Sequence, residues 1–173
     1  MKYLLYTDGA YSQSGRVAFA YVLRTQLMFY HMAADTYENG TILHAEAAAV
    51  GLGVRYILDN CEITSEDSVE IFTDNLEVIR IFTDFENQRS SKVDHPLIQM
   101  TWSALCELNK RCSWKIKKIQ AHMNSINANS TADRLAKFAL RMRAYEVHEY
   151  LQALEEKKNR KEAKAEELPS DGK

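Results

Sequence analysis

The 173-residue sequence predicts an α/β fold: a five-stranded mixed sheet, three antiparallel strands and then two parallel ones, flanked by helices and followed by an extended C-terminal helix. Three observations predict it. Apolar strand-like runs lie close together near the N-terminus with short polar links. An alanine-rich segment of helical period follows. Strand and helix patterns then alternate to about residue 140, which calls for crossovers and hence parallel pairing.

Lys2 to Thr7 alternates and is rich in Tyr and Leu, so it reads as a first strand ending at Asp8-Gly9. Val17 to Leu23 and Leu27 to Met32 are the next two, and links at 12–15 and 24–26 suit an antiparallel meander. From Leu43 to Leu58 the period becomes helical, with Ala45, Ala49, Leu52 and Tyr56 on one face. Asp59-Asn60 and the cluster at 64–67 break the chain. Val69 to Thr73 is a fourth strand ending at Asp74, and Glu77 to Phe82 a short helix. A polar stretch at 83–95 leads to Pro96, well suited to be the first residue of a helix reaching about Cys112. Trp114 to Gln120 is the fifth strand, and 121–130 a polar loop. Asn129 or Ser130 would cap a last helix beginning near Thr131. Leu140, Ala144, Val147, Leu151 and Leu154 continue as a short heptad seam, a route to a homodimer or partner contact. We therefore expect a domain at 1–143 and, at 144–173, a helical extension with a Lys- and Glu-rich tail.

Composition is that of an ordinary globular protein, 46% hydrophobic and 27% charged. No apolar run is long enough for a bilayer, and Asp8 interrupts the N-terminus before a signal-type stretch develops. Cys61, Cys106 and Cys112 form no CxxC pair, so neither a disulfide framework nor a zinc site is expected. A cytoplasmic location follows as an expectation. The net charge of −2 gives no global basic field; nucleic-acid binding would need a local patch. The best candidate is Lys110-Arg111 with Lys115, Lys117 and Lys118, near Trp102 and Trp114. A solvated strand edge and helix end explain the same residues.

Four acids stand at telling places. Asp8 and Asp74 each end an expected strand, within Tyr6-Thr7-Asp8-Gly9 and Phe72-Thr73-Asp74-Asn75. Glu46 is expected in the first turn of the first long helix, and Asp133 in the first turn of the last. Singly, each has an ordinary explanation as a turn former or as a partner of a helix dipole. Together, gathered at one sheet rim, they would repel unless they bind cations. All-oxygen ligands suit Mg²⁺ or Mn²⁺, and two such ions can hydrolyse a phosphodiester.

In type, order and spacing these residues resemble the type 1 ribonucleases H, over about Tyr3 to Leu140. The resemblance implies a ribonuclease H-like fold and a metal-dependent endonuclease that cuts the RNA strand of RNA–DNA hybrids, leaving 5′-phosphates. It implies two Mg²⁺ ions (Mn²⁺ as a substitute) held by Asp8, Glu46, Asp74 and Asp133, with Asp8 between them. It assigns His122, in Ala121-His122-Met123, a part in proton transfer or product release, and matches Asn129 to the family's asparagine four residues before the last aspartate. Ser12 and Ser14 are candidates for phosphate contact, although surface-turn polarity explains them equally well. Two features depart from the family. The loop after Asp8 is not glycine-rich, and Ile42-Leu43 stands where asparagine or glutamine often reads 2′-hydroxyls. The residues leave open a related nuclease acting on DNA or junctions, and an idle module that binds nucleic acid or protein.

Overall fold

The computed structural model describes residues 1–25, 29–83, 94–119 and 128–142. Its strands are β1 (Lys2–Tyr11), β2 (Val17–Thr25), β3 (Phe29–Tyr37), β4 (Ser68–Thr73) and β5 (Ser113–Lys118). Its helices are α1 (Ile42–Asn60), α2 (Leu76–Thr83), α3 (Pro96–Arg111) and α4 (Ala128–Arg141). The sheet order is β3-β2-β1-β4-β5; β1 pairs antiparallel with β2 and parallel with β4, and β4 parallel with β5. The five-stranded mixed sheet is as expected. His122, the loop around it and nearly all of the 140–154 seam lie outside the described residues.

The sheet separates two unequal layers. One face holds α1, α2 and α3 over the main core, where Leu5, Tyr21, Leu23, Ile57, Ile71, Ile98 and Leu105 are almost wholly buried. The other face receives α4, whose Ala128, Ala132, Leu135 and Ala136 pack on Ala10, Ala20 and Val22. Small residues on both sides let that helix lie close to the strands. Arg16, in the β1–β2 turn, donates from Nη2 to the carbonyl of Met142 at 2.8 Å and so ties the end of α4 to the hairpin.

Four expectations need correction. β3 does not end at Met32; it runs to Tyr37 because Ala33 to Tyr37 pair with Tyr21 to Val17 of β2. β1 does not stop at Asp8-Gly9; it runs on to Tyr11 because Asp8 to Tyr11 pair with Ala20 to Val17 of β2. Glu46 lies in the second turn of α1, not the first, because Thr41 caps the helix and Ile42 opens it. α4 already contains Ala128, so Asn129 and Ser130 are helical residues rather than caps and Asp133 is past the first turn. Burial of Ala128 against the sheet carries that helix beyond the start suggested by the capping residues.

The cap of α1 has an unusual member. Thr41 Oγ1 accepts from the His44 N–H at 3.4 Å, and His44 Nδ1 accepts from the Thr41 N–H at 3.1 Å. This is a capping box with histidine in the place usually taken by Glu or Gln. The His44 ring stacks on His95, centroids 3.5 Å apart, and His95 in turn caps α3 by accepting from the Leu97 N–H. In both caps the ring Nδ1 is placed as the acceptor of a backbone N–H. Partial burial and the neighbouring His95 push the His44 pKa down, in keeping with that role.

Candidate active site

β1 and β4 run in parallel register, Tyr6 beside Phe72, with their rings stacked at 4.8 Å. Continued two residues past that pair, the register leads to Asp8 and Asp74 at one rim of the sheet, each after a threonine. Thr7 Oγ1 donates to the Phe72 carbonyl at 3.1 Å, which locks the two segments together. Beyond Asp74, the Asn75 side chain accepts from the N–H groups of Glu77 (2.9 Å) and Val78 (3.2 Å), capping α2. Asp74 is thus held between the end of the interior strand β4 and a helix cap.

Glu46 reaches this rim because Gly9 follows Asp8. A Cβ on Gly9 would stand 2.7 Å from the Glu46 nitrogen and 2.8 Å from Ala45 Cβ, so only glycine allows α1 to approach β1 this closely. Gly9→Ala must displace α1. We expect a loss of about 1–3 kcal/mol of stability together with loss of the Glu46 position. Denaturant titration and an activity assay on the variant check it, and unchanged values for both would remove Gly9 from the site's architecture.

Asp8 and Glu46 are nearly buried, at 8% and 5% exposure. Burial, with repulsion from Asp74 and Asp133 added, pushes Asp8 up to about 7; the Gly9 backbone and Lys137 act in the opposite sense. Burial also dominates at Glu46, followed by Asp8 and Asp74, and it is pushed up to about 9 despite the Gly9 backbone and the Thr73 hydroxyl. Glu46 Oε2 is buried without a hydrogen-bond partner. Asp133, on α4, bonds Lys137 one turn on at 2.6 Å. Four of the expected residues, Asp8, Glu46, Asp74 and Asp133, therefore influence one another at a single rim.

The donor set fits a hard divalent cation. It is all oxygen, it includes a buried carboxylate oxygen with no partner, and burial and acidic neighbours push Asp8 and Glu46 toward the protonated form. Among the described residues no three His, Cys, Asp or Glu side chains close into a metal cage.

The remaining candidates are placed differently. Asn129 stands one turn before Asp133 on α4, with its Oδ1 buried and unpartnered. The Ser12 hydroxyl is engaged inside the β1–β2 turn, donating to the Arg16 carbonyl at 3.0 Å and lying 2.7 Å from Ser14 Oγ. Nothing in the sequence marks Gly9 as a packing residue. Lys137 is detectable there as a basic residue four positions after Asp133.

A family model described as RNase H matches residues 1–141. A comparison with curated proteins finds no match. Among solved structures, RNase H1 from the halophilic archaeon Halobacterium salinarum is 22% identical, with a TM-score of 0.61 over 81% of this chain and 98% of that one. The N-terminal RNase H domain of a Mycobacterium tuberculosis protein, solved as a fusion with maltose-binding protein, is 17% identical, with a TM-score of 0.62 over 80% and 93%. The protease–reverse transcriptase of prototype foamy virus is 21% identical, with a TM-score of 0.59 over 81% of this chain but only 21% of the viral one. At these identities the structures bear on fold alone.

Proposed function

The chain belongs to the RNase H family, and on that premise we propose that it is a metal-dependent endonuclease that hydrolyses the RNA strand of RNA–DNA hybrids. The observation that carries the proposal is the partnerless, buried Glu46 oxygen beside Asp8, in a rim where both acids are driven toward protonation. Clustered carboxylates of this kind are costly to a fold and typical of sites that hold cations.

In this mechanism Asp8, Glu46, Asp74 and Asp133 would hold two Mg²⁺ ions, with Mn²⁺ as a substitute. The chemistry supplied by the bound pair would be activation of water and neutralisation of charge on the departing oxygen. Asp8, the most central acid, would orient both halves of the reaction, while Glu46 would fix the attacking side from its buried position. Asp74 and Asp133, both more open to solvent, would meet the scissile phosphate and exchange with product. As the new phosphorus–oxygen bond forms, the bond to the 3′ oxygen breaks, leaving a 5′-phosphate and a 3′-hydroxyl. Lys137, paired with Asp133, would yield that carboxylate when the site loads.

His122 would carry protons or ease product release. We expect His122→Ala to lower turnover by roughly tenfold to a hundredfold rather than abolish it. Single-turnover and multiple-turnover rates separate the two roles: a loss confined to multiple turnover identifies product release. Ser12 and Asn129 are proposed as substrate contacts. For Ser12 the hydroxyl would have to leave its turn partners.

Domain limits of 1–143 and 144–173, a partner contact through residues 140–154, and a cytoplasmic location belong to the same proposal. No helix among the described residues is long and apolar enough to cross a membrane.

A second reading is favoured by Ile42, which opens α1 45% exposed and has no hydrogen-bonding group to offer a 2′-hydroxyl. It would make the substrate DNA or a branched junction. Cleavage assays with Mg²⁺ or Mn²⁺ on RNA–DNA hybrid, double-stranded RNA, double-stranded DNA, a four-way junction and single-stranded RNA decide between the two. Cutting confined to the RNA of the hybrid is the expected result; cutting of DNA or junctions supports the second reading, and no cutting at all defeats both.

A further inference from the structure

Away from the acidic rim, a groove of about 400 Å³ lies where β5 ends the sheet. Its walls are Phe82 and Thr83 of α2, Asn109 of α3, and four consecutive strand residues, Trp114 to Lys117. Successive strand residues point to opposite faces, so a groove touched by four in a row follows the strand's edge. Among the described residues no strand pairs with the outer side of β5. Ile119 donates its N–H inward to the Thr73 carbonyl at 2.9 Å. By alternation along the strand, the main-chain groups of Trp114 and Ile116 point outward, away from β4.

The edge carries two further marks. The indole N–H of Trp114 is buried with no acceptor. Lys115 and Lys118 are exposed and have no acidic partner among the described residues, whereas Lys117 is bonded to Glu70 at 2.7 Å. We propose that this edge docks an extended segment of a partner protein, alternating apolar and acidic residues, as an added sixth strand. Apolar side chains of the segment would sit in the groove against Phe82 and Trp114. Its acidic side chains would face Lys115, and its backbone would pair with Trp114 and Ile116. The same lysines repel a second copy of β5, so the edge is guarded against self-pairing yet open to an acidic strand. A nucleic-acid backbone could use the lysines, but neither the unpaired strand nor the apolar wall.

The test uses the full chain, ¹⁵N-labelled, titrated with a ten-residue peptide alternating Val or Phe with Glu. The expected result is saturable shifts of the Trp114 indole N–H and of the Trp114 and Ile116 amides. Lys115→Glu should weaken binding at least fivefold, and Lys115→Gln less. Absence of binding, or equal binding of a peptide with Lys in place of Glu, overturns the proposal. So does displacement of the peptide by a twelve-nucleotide DNA strand that shifts the same resonances, which would make the edge a phosphate-binding surface.

Discussion

Asp8→Asn is expected to abolish cleavage and at the same time to raise thermal stability. The amide is nearly isosteric, so packing against β2 and Gly9 survives. What disappears is the negative charge between Asp74, Asp133 and Glu46. Metal-assisted phosphodiester hydrolysis draws several kcal/mol from charge placed at the reacting phosphate, so the rate should fall by more than about a thousandfold. In the metal-free protein that same charge is unfavourable, since burial and its acidic neighbours already push Asp8 up to about 7. Removing it relieves repulsion on Glu46, where Asp8 is the largest coulombic contribution. Each kcal/mol recovered raises the melting temperature by roughly 2–4 °C in a protein of this size. Melts followed by circular dichroism, paired with the hybrid-cleavage assay, read both halves. Near-wild-type cleavage would sink the assignment of Asp8, while lost activity with lower stability would mean that the acid supports the fold instead.

Much of this site is legible in the amino-acid sequence, and the parts that are not have physical causes. Thr7-Asp8 and Thr73-Asp74 carry the same local phrase directly after Tyr6 and Phe72, which are register partners on adjacent parallel strands. Each ends a run of alternating apolar residues, and a period-two pattern exposes that ending. The extension of β1 beyond Asp8 is hidden because it depends on pairing with Val17 to Ala20, a contact between segments rather than a property of either. Helix starts are obscured for a related reason. Thr41 is a good cap, but the residue completing its box is His44, which pattern rules based on Glu or Gln pass over. At α4 the reverse holds: Asn129 and Ser130 look like caps, yet burial of Ala128 draws the helix past them. Gly9 is visible as a residue and silent as a device, because its purpose is the absence of a Cβ facing Glu46, on a helix more than thirty residues away.

The metal-free protein should lose stability as pH rises from neutrality toward 9, and divalent cation should restore it. Asp8 rises from 3.8 to about 7 and Glu46 from 4.5 to about 9 on folding. Between the unfolded and folded values the native protein holds protons that the unfolded chain has released. The contribution is therefore fully present below about pH 4 and is lost as pH passes 7 and then 9. Other shifted groups act elsewhere. His44, whose pKa is lowered, affects stability only below its ordinary range and with the opposite slope. Asp67 and Glu70, held down by their ion pairs, matter only in acid. Above about pH 7 Asp8 is ionised in both states, so the interval from about pH 7 to 9 reports chiefly Glu46, with the Cys112 thiol, whose pKa burial raises, entering only toward its upper end. A fall in melting temperature of roughly 5 °C or more is expected there in the presence of chelator. Glu46→Gln, which cannot ionise, should flatten the upper part of the curve. A cation that binds the ionised rim must displace the same protons, so Mg²⁺ should raise the melting temperature more at about pH 8.5 than at about pH 5.5. Titration calorimetry in buffers of different ionisation enthalpy counts the protons released. A chelated protein whose melting temperature is flat from pH 7 to 9, or a Mg²⁺ effect independent of pH, would show that Glu46 is not held protonated in the free site.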